Sequence, residues 1–433
     1  MTESLASMKN RGLITHSTII KGANTVIGIG SCAFDIEESS TIRPEKTSFV
    51  IDGTLPGNLE SEEIGGEVSQ ESLVEALQAP NGFSLVAISE GRLLAARDML
   101  GQTPLYHGSN GEGTVVVASL KKALTTAGIK RFKPVPPGQL VAFSKRGTSA
   151  FAGHVLSRPR EIKVKEDDAV GRLTELLVES LSTETSQDIA LAFSGGLDST
   201  LVAQAAKEND LRPELITVGL KGQRELVHAR KVSKEIGLDI IVKELSKSEV
   251  LEALPAVVDI IESTDPVLVG VSVPLYFVCE VAKQMGADCL LAGQLSDELF
   301  AGYGRFDALA RKKDARMVRD EIWKSVLAAS TNDFETGDKL AVSHRLRLRC
   351  PFAFVRLVEY ALRLPTSLKL RVVAGQVVRK YILRRLAADW GLPEQVTNRP
   401  KKAVQYSTGV QKVLLQEAKK RGMALSGFLE SFL

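Results

Sequence analysis

Apolar and polar positions along this chain follow two different patterns. From Thr25 to Phe151, short alternating or continuous apolar runs are separated by turn-forming residues, which predicts an antiparallel, β-rich domain. The predicted strands are 49–52, 83–88, 92–97, 115–118 and 139–143. Around residues 157–168 the sequence becomes polar and charged and loses its apolar periodicity, which predicts a domain boundary.

Beyond this boundary, short apolar runs alternate with segments of helical period, as expected for a parallel sheet covered by helices on both faces. The predicted strands are 189–193, 215–218, 240–242 and 288–292, and the predicted helices are 197–207, 225–236, 251–261 and 275–285. From Arg311 onward the pattern is mostly helical. We therefore predict an α/β chain with domains at 1–156 and 171–433, joined by a linker at 157–170.

Composition places the chain among ordinary soluble proteins, since 44% of its 433 residues are hydrophobic and 25% are charged. The net charge of +3 is the remainder of 55 basic and 52 acidic side chains, which does not indicate a nucleic-acid-binding protein. Basic residues do cluster at 345–349 and 379–385. Such runs usually form solvated helix faces, and a polyanion-binding surface is the less favoured alternative.

Cysteine spacing argues against a metal-binding or disulfide framework. Cys32, Cys279, Cys289 and Cys350 are far apart and form no C-x-x-C pair, which favours roles as small buried apolar residues. The longest apolar stretch, 266–279, contains Gly270 and Pro274 and is shorter than the roughly 20 residues that span a bilayer. With no signal peptide at the start, the expected location is the cytoplasm.

The segment Ser194-Gly195-Gly196-Leu197-Asp198-Ser199-Thr200 lies directly between a predicted strand and a predicted helix. Two glycines let the backbone approach an anion closely, and the free N–H groups of the helix start point toward it. The lysine of a Walker A loop is absent. Because the carboxylate of Asp198 would repel phosphate, an intervening Mg²⁺ is expected.

This string resembles the pyrophosphate loop of the ATP pyrophosphatase superfamily. A second segment, 291–303, has two adjacent acids in Gln294-Leu295-Ser296-Asp297-Glu298 and is similar to the acidic signature of asparagine synthetases. Two further stretches of that family resemble segments of this chain, namely residues 261–265 with 274–276 and Arg399-Pro400-Lys401. The resemblance covers most of residues 171–410 and implies a doubly wound, adenine nucleotide alpha hydrolase-like ATP pyrophosphatase domain with a helical C-terminal part.

Carried over residue by residue, the resemblance implies a site for ATP and Mg²⁺. Asp198 and Asp297 would hold the metal, and Lys401 would stabilise the negative charge that develops at the α-phosphate and the acyl centre. The phosphates would be surrounded by Ser194, Gly195, Gly196 and Ser199, and the nucleotide would be lined by Ala192, Val218 and Gly293.

One position departs from the family. Gln294 stands where asparagine synthetases have a glutamate, and an amide does not titrate as a carboxylate. A general base for the incoming amine would then lie elsewhere, with Glu262, Asp265 and Glu298 as the candidates.

The first domain resembles the amidotransferase half of the same family in the blocks 97–106, 118–124 and 136–138, and residues 8–12 resemble another block. This implies an N-terminal-nucleophile-like (αββα) fold. In the family, glutamine hydrolysis depends on an N-terminal cysteine, whereas this chain begins Met1-Thr2 and has no cysteine before Cys32. Thr2 could in principle be an N-terminal nucleophile, but it lies almost on the family block at 8–12.

A second residue needed for glutamine hydrolysis in the family is also missing from the first domain. Gln70 stands where the family has the acid that binds the α-amine of glutamine. We therefore expect a degenerate, class-II amidotransferase-like domain without glutaminase activity. The five histidines, His16, His107, His154, His228 and His344, show no metal-binding spacing, and structural or surface roles are expected.

The leading functional hypothesis is an AMP-forming amide ligase that adenylates a carboxylate, either aspartate, as in asparagine synthetases, or another acid, as in β-lactam synthetases. The expected partners are the carboxylate, ammonia or an amine, and a separate glutaminase subunit, with neither membrane nor nucleic acid; a homodimer is left open. The alternatives are a tRNA-modifying relative, which usually needs paired cysteines, and a nucleotide-binding pseudoenzyme.

Overall fold

The computed structural model describes residues 14–22, 25–33, 40–42, 47–53, 70–79, 81–89, 92–110, 114–144, 147–151, 153–184, 186–312, 314–400 and 404–432. The chain divides into two compact units, Met1–Ser157 and Arg158–Leu433. The predicted catalytic Lys401, as well as Thr2 and the block at 8–12, lie outside the described residues.

The first unit is mainly antiparallel sheet. Its strands β1 to β11 are, in order, Ile14–Gly22, Thr25–Ala33, Ser40–Ile42, Thr47–Gly53, Phe83–Ser89, Arg92–Arg97, Tyr106–Ser109, Val115–Ala118, Phe132–Pro134, Leu140–Ser144 and Gly147–Phe151. Helices α1 and α2 are Gln70–Ala76 and Lys121–Thr126. All five predicted strands of this unit fall on observed ones, because each combines apolar alternation with flanking turn residues.

Six of these strands form one sheet in the order β11-β10-β6-β5-β4-β3. Leu73 and Leu77, of α1 and the turn after it, pack against Phe83, Leu85 and Leu94 on one face of the sheet. This helix-on-sheet packing fits the α/β layering expected for the domain.

The family block at 97–106 has a structural role in this unit. The buried guanidinium of Arg97 donates hydrogen bonds to the carbonyls of Gly101, Thr103 and Val135. The neighbouring Asp98 carboxylate accepts from backbone N–H groups, including that of Leu100. Burial raises the pKa of Asp98, although Arg97 opposes the shift. These two side chains connect loops to the sheet. The block at 97–106 therefore stabilises the fold of this domain.

The second unit contains strands β12 to β18, at Ile189–Ala192, Glu214–Leu220, Ile240–Leu245, Cys289–Leu291, Arg347–Arg349, Leu370–Val373 and Gln376–Arg379. Its helices α3 to α18 are Glu166–Glu179, Leu197–Glu208, Arg224–Ile236, Lys247–Glu252, Leu254–Ile261, Pro266–Gln284, Ser296–Leu299, Arg305–Arg311, Ala315–Ser343, Val355–Arg363, Thr366–Lys369, Tyr381–Asp389, Glu394–Thr397, Val404–Ser407, Val410–Lys420 and Leu425–Glu430.

Five of the strands form a wholly parallel sheet in the order β14-β13-β12-β15-β16. The central strands are short and almost entirely apolar, as expected for strands covered on both faces. The chain enters the sheet at β12, winds outward through β13 and β14, and returns to the other side of β12 with β15. This change of direction between β12 and β15 confirms the predicted doubly wound sheet and creates a crevice at the carboxyl ends of both strands.

The observed elements differ from the sequence predictions in several details. Residues 166–170, predicted as the end of a linker, form the first part of α3, and the backbone N–H of Ile162 already donates to the carbonyl of Arg363 in the second unit. Strand β16 and the β17–β18 hairpin lie within the region predicted to be helical. Both are too short, at three or four residues each, for periodicity to distinguish them from helix.

Helix α8 is longer than predicted. It runs without interruption from Pro266 to Gln284 through Gly270 and Pro274, whereas the sequence predicted a helix at 275–285 only. It is long and apolar enough to cross a membrane, judged by length and composition alone. More than half of its apolar window is buried, however, and Val269, Val273 and Phe277 belong to the core that packs against the parallel sheet. Core packing therefore accounts for its hydrophobicity.

Candidate active site

The crevice between β12 and β15 brings together the two motifs that the sequence singled out. The phosphate-loop segment follows β12 directly, and the acidic segment follows β15 directly. A Cβ atom on Gly293 would lie 3.1 Å from the Cβ of Asp198 and 3.5 Å from the backbone N of Ser199. The two loops therefore touch, and a glycine at 293 permits their close approach.

The phosphate loop is ordered by its own hydroxyl groups. Gly195 has a φ of +65°, and α4 begins at Leu197, directly after the extended Gly196. The backbone N–H of Gly196 donates to the Ser194 hydroxyl at 3.2 Å, and the Thr200 hydroxyl donates to the Gly196 carbonyl at 2.8 Å. A strand-to-helix turn of this shape leaves helix-start N–H groups available to an anion.

The acidic loop has a strained backbone that directs carboxylates toward the phosphate loop. Leu295 and Ala301 have φ values of +71° and +54°, which side-chain-bearing residues rarely adopt. A Cβ on Gly302 would lie 1.9 Å from Asp297 Oδ1 and 2.3 Å from the Cε of Lys380, so only glycine fits there. The hydroxyl of Ser296 donates to Asp198 Oδ1 at 2.8 Å and links the two loops.

Lys380 lies between the two predicted metal-binding carboxylates. Its ammonium group is 2.7 Å from both oxygens of Asp198 and 2.7 Å from Oδ1 of Asp297. The lysine side chain is 3% exposed, and the aspartate side chains are 13% and 14% exposed. Asp198 and Asp297, which are far apart in the sequence, therefore converge on one positive charge, and their binding of a Mg²⁺ ion stays a prediction.

These residues fit a magnesium ion bound together with a nucleotide. Mg²⁺ is typically held by one or two carboxylates together with phosphate oxygens and water. The two carboxylates that share the Lys380 ammonium supply such a donor set. In the described part of the chain no group of three or more metal-binding side chains occurs. The remaining ligands would therefore come from phosphate and water.

Behind Asp297 lies a group of buried acids. Tyr303 donates a hydrogen bond from its hydroxyl to Oε1 of Glu298. Burial, and after it the negative charge of Asp333, raise the pKa of Glu298 to about 7. Burial and the charge of Asp297 likewise raise the pKa of Asp333 to about 6. Glu298 thus gains the proton affinity of a group that can exchange protons near neutral pH.

Comparison with known proteins decides the family. The family model described as asparagine synthase matches residues 172–330 and 313–425, which is more than half of the chain. The chain belongs to the asparagine synthase family. The Methanocaldococcus jannaschii protein named "Putative asparagine synthetase (glutamine-hydrolyzing) 1" is 26% identical over 407 residues, covering 82% of this chain and 74% of the relative.

Asparagine synthetase (glutamine-hydrolyzing) 3 of Arabidopsis thaliana is 27% identical over 356 residues, covering 78% of this chain and 60% of the relative. The chain thus spans about 60% of the length of this plant relative. Among solved structures, the NH3-dependent NAD synthetase of Campylobacter jejuni matches with 16% identity and a TM-score of 0.30, covering 62% of this chain and 93% of that chain. Family membership rests on the sequence matches.

Gln294, the residue that the sequence resemblance marks as a departure from asparagine synthetases, is held in place by packing. The Cys350 thiol donates to Gln294 Oε1 at 3.3 Å, and Gln294 Nε2 lies 3.5 Å from the backbone carbonyl of Asp333. A Cβ on Gly337 would be only 2.8 Å from Gln294 Nε2, so the side chain lies directly against α11. The Gln294 amide accepts from one of these neighbours and donates to the other, whereas an ionised glutamate carboxylate could only accept.

Of the three candidate bases, the structure ties two to other tasks. Glu262 accepts from the ammonium of Lys339, which is also 2.7 Å from Glu335 in a buried triad. Asp265 caps α8 by accepting from the N–H groups of Val267 and Leu268. Glu298, next to Asp297, is the candidate with a raised pKa.

The predicted nucleotide-lining residues lie at the carboxyl ends of central strands or in the adjoining loop. Ala192 ends β12, Gly293 follows β15, and Val218 lies in β13 with 7% exposure. Among the cysteines, Cys279, Cys289 and Cys350 are buried and free, in line with the sequence. Cys32 has no described side chain.

Sequence reasoning missed a central cation of the site as the structure describes it. Lys380 lies inside the basic run that was interpreted as a solvated helix face, yet it is 2% exposed. Its neighbours are also engaged: Arg379 contacts the Gly302 carbonyl, and Arg384 donates to the Thr397 carbonyl. The sequence around Lys380 gives no signal of its burial, because its contacts are with residues far away in the chain. His228, for which a structural or surface role was expected, has its Nε2 2.8 Å from the Gly195 carbonyl.

Proposed function

We propose that this chain is an ATP-dependent ligase that forms an amide bond by adenylating a carboxylate, with aspartate as the first substrate to test. The observation that carries the proposal is the convergence of Asp198 and Asp297 on one cation at the end of a glycine-bearing turn. Membership in the asparagine synthase family supports the same chemistry. The products would be AMP, pyrophosphate and the amide.

In this mechanism, a substrate carboxylate oxygen attacks the α-phosphorus of ATP, and the bond to the bridging oxygen breaks to release pyrophosphate. The N–H groups at the start of α4, with the Ser194 and Ser199 hydroxyls, would bind the leaving phosphates. Magnesium, when bound through Asp198 and Asp297, would neutralise phosphate charge. Lys401 is the proposed source of positive charge at the α-phosphate.

In the second step an amine nitrogen attacks the acyl carbon, and AMP leaves. The nitrogen must lose a proton, and Glu298 is the proposed acceptor because its pKa is raised to about 7. Tyr303, which donates to Glu298, would position that carboxyl group. Gln294 would orient the substrate through its amide and would not accept the proton.

We further propose that nitrogen arrives as ammonia or an amine, or from a separate glutaminase subunit. The replacement of the family acid by Gln70 supports this proposal. The curated relatives are named as glutamine-hydrolyzing, so this chain would differ from them in its nitrogen source. We also propose a cytoplasmic location, a degenerate glutaminase-like domain in the unit Met1–Ser157 and a synthetase domain in the unit Arg158–Leu433.

The test measures pyrophosphate and AMP release with ATP and Mg²⁺ over a panel of carboxylates, each with ammonium, with glutamine or with neither. We expect equal amounts of both products with aspartate and ammonium, and none with glutamine alone. Turnover with glutamine would contradict the proposed nitrogen source. Tight ATP binding without turnover on any acid would contradict the ligase and support a nucleotide-binding regulator.

A further inference from the structure

Lys380 has a backbone conformation that a lysine adopts only at a cost. Its φ of +54° is in the left-handed region, and its N–H donates to the Phe300 carbonyl at 3.2 Å. The residue stands at the junction between β18 and α14, where a glycine would meet the backbone requirement without strain. The strained backbone places the ammonium group in contact with Asp198 and Asp297. This indicates that the contact is important for the function of the site.

The Lys380 ammonium group already neutralises part of the negative charge of the two carboxylates that would otherwise attract a metal ion. Lys380 Nζ contacts Asp198, Asp297 and the Ser296 hydroxyl, at 2.7, 2.7 and 3.2 Å. The positive charge of Arg384 also acts on Asp198. A divalent cation entering between the carboxylates would therefore meet a resident positive charge within a few ångströms, in a site that is largely shielded from water.

An occupied phosphate loop changes this balance. A triphosphate placed at the start of α4 would bring several negative oxygens next to the Lys380 ammonium, because Asp198 lies in the first turn of that helix. A lysine stem with four rotatable bonds can move its ammonium group to such oxygens without backbone movement. The carboxylates would then be free to bind a metal ion that arrives with the nucleotide.

We propose that Lys380 makes metal binding conditional on the nucleotide. It holds Asp198 and Asp297 as a resident cation in the free protein and releases them when triphosphate oxygens offer it other acceptors. This inference rests on the proposed function for the identity of the nucleotide. Its consequence is an order of binding in which free divalent cations bind weakly and the metal–nucleotide complex binds well.

The first experiment measures Mn²⁺ binding to the full chain without nucleotide, from the electron paramagnetic resonance signal of free Mn²⁺. The variants are Lys380→Met and, as a matched control, Lys369→Met, which also removes a lysine that is 2% exposed. We expect Lys380→Met to bind Mn²⁺ at least about tenfold more tightly than the wild type, because a contacting positive charge is removed. The control should match the wild type.

Should Lys380→Met fail to fold, Lys380→Gln retains N–H donors for both carboxylates without the charge, and the same gain is expected. Equal Mn²⁺ affinity in the wild type and in every folded Lys380 variant would overturn the proposal. This arm uses no nucleotide, so its outcome is independent of the proposed function.

The second arm adds a non-hydrolysable ATP analogue to the wild type. We expect retention of Mn²⁺ to rise together with analogue binding. Analogue binding without a gain in Mn²⁺ would overturn the conditional role of Lys380 and leave the ligase proposal standing. Absence of analogue binding would instead contradict the proposed function, and with it the nucleotide-dependent release by Lys380.

Discussion

At the scale of single residues, we expect the activity to depend on the negative charge of Asp198 and not on the size of its side chain. Asp198→Asn preserves shape but removes the negative charge that faces Lys380, so we expect pyrophosphate release to fall at least about 100-fold. Asp210→Asn is the matched control, since this exposed aspartate lies just beyond the other end of α4 with a φ of +58°, which asparagine tolerates well. Near-normal turnover by Asp198→Asn would remove the basis of the proposed site.

Lys369 gives the protein a pH-dependent stability. Burial, only partly offset by Glu161, lowers the pKa of this lysine from 10.5 to about 7. Between these values the unfolded chain binds a proton that the folded chain does not, so the free energy of unfolding rises with pH across this window. Below about pH 7 the full penalty is present, and above about 10.5 it vanishes.

Lys369→Met removes this penalty. We expect its melting temperature to exceed that of the wild type by about 2 °C or more at pH 6 to 7, with the difference shrinking toward pH 10. Lys221→Met, at an exposed lysine, serves as the control and should show no such trend. A melting difference that is constant across pH would mean that Lys369 is protonated equally in both states.

Much of the site could be predicted residue by residue, for a physical reason. Phosphate binding needs a glycine turn before a helix, and metal binding needs acids, so Gly195, Asp198 and Asp297 stand out in the sequence. Lys380 has no such local requirement, because its role depends on tertiary packing that brings it to Asp198, 182 positions away in the sequence. A lysine in a basic run has the same sequence pattern whether it is solvated or buried.

At the scale of elements, the acidic loop depends on one glycine. Gly302→Ala would place a methyl group 1.9 Å from Asp297 Oδ1, so Asp297 or Lys380 must move. We expect a loss of pyrophosphate release of at least about tenfold and a lower melting temperature.

Gly171→Ala is the control for this change. Gly171 is exposed within α3, and a Cβ there meets nothing within 4 Å. Replacing a helical glycine by alanine should stabilise the protein by up to about 1 kcal/mol without loss of activity. If both alanine variants behave alike in thermal melting and turnover, the close contact at Gly302 is not what holds the loop.

Helices with a strong hydrophobic periodicity were predictable from the sequence, and short elements were not. Helix 197–207 was predicted within one residue of the observed Leu197–Glu208, because the glycine-containing turn before it and its apolar stripe both indicate a helix. Helix α8 was predicted too short, since Pro274 was interpreted as a break although the helix continues through it. Burial against the sheet and neighbouring helices compensates for the backbone hydrogen bond that proline cannot donate.

At the scale of the whole molecule, ligand binding should stabilise the chain. An ATP analogue with Mg²⁺ at about 100 times its dissociation constant adds about 2.7 kcal/mol to the unfolding free energy of the unit that binds it. We expect a rise of several degrees in the melting transition of the unit 158–433. Thermal scans with and without the analogue check this, and an unchanged transition in both units would contradict nucleotide binding.

The β17–β18 hairpin ends directly at Lys380, and its tip, Ala374 and Gly375, is exposed. A chemical label at this tip would stand only a few residues from the lysine, yet outside the crevice. If the ammonium group changes acceptors during the reaction cycle, fluorescence from such a label offers a way to follow each turnover in real time, one molecule at a time.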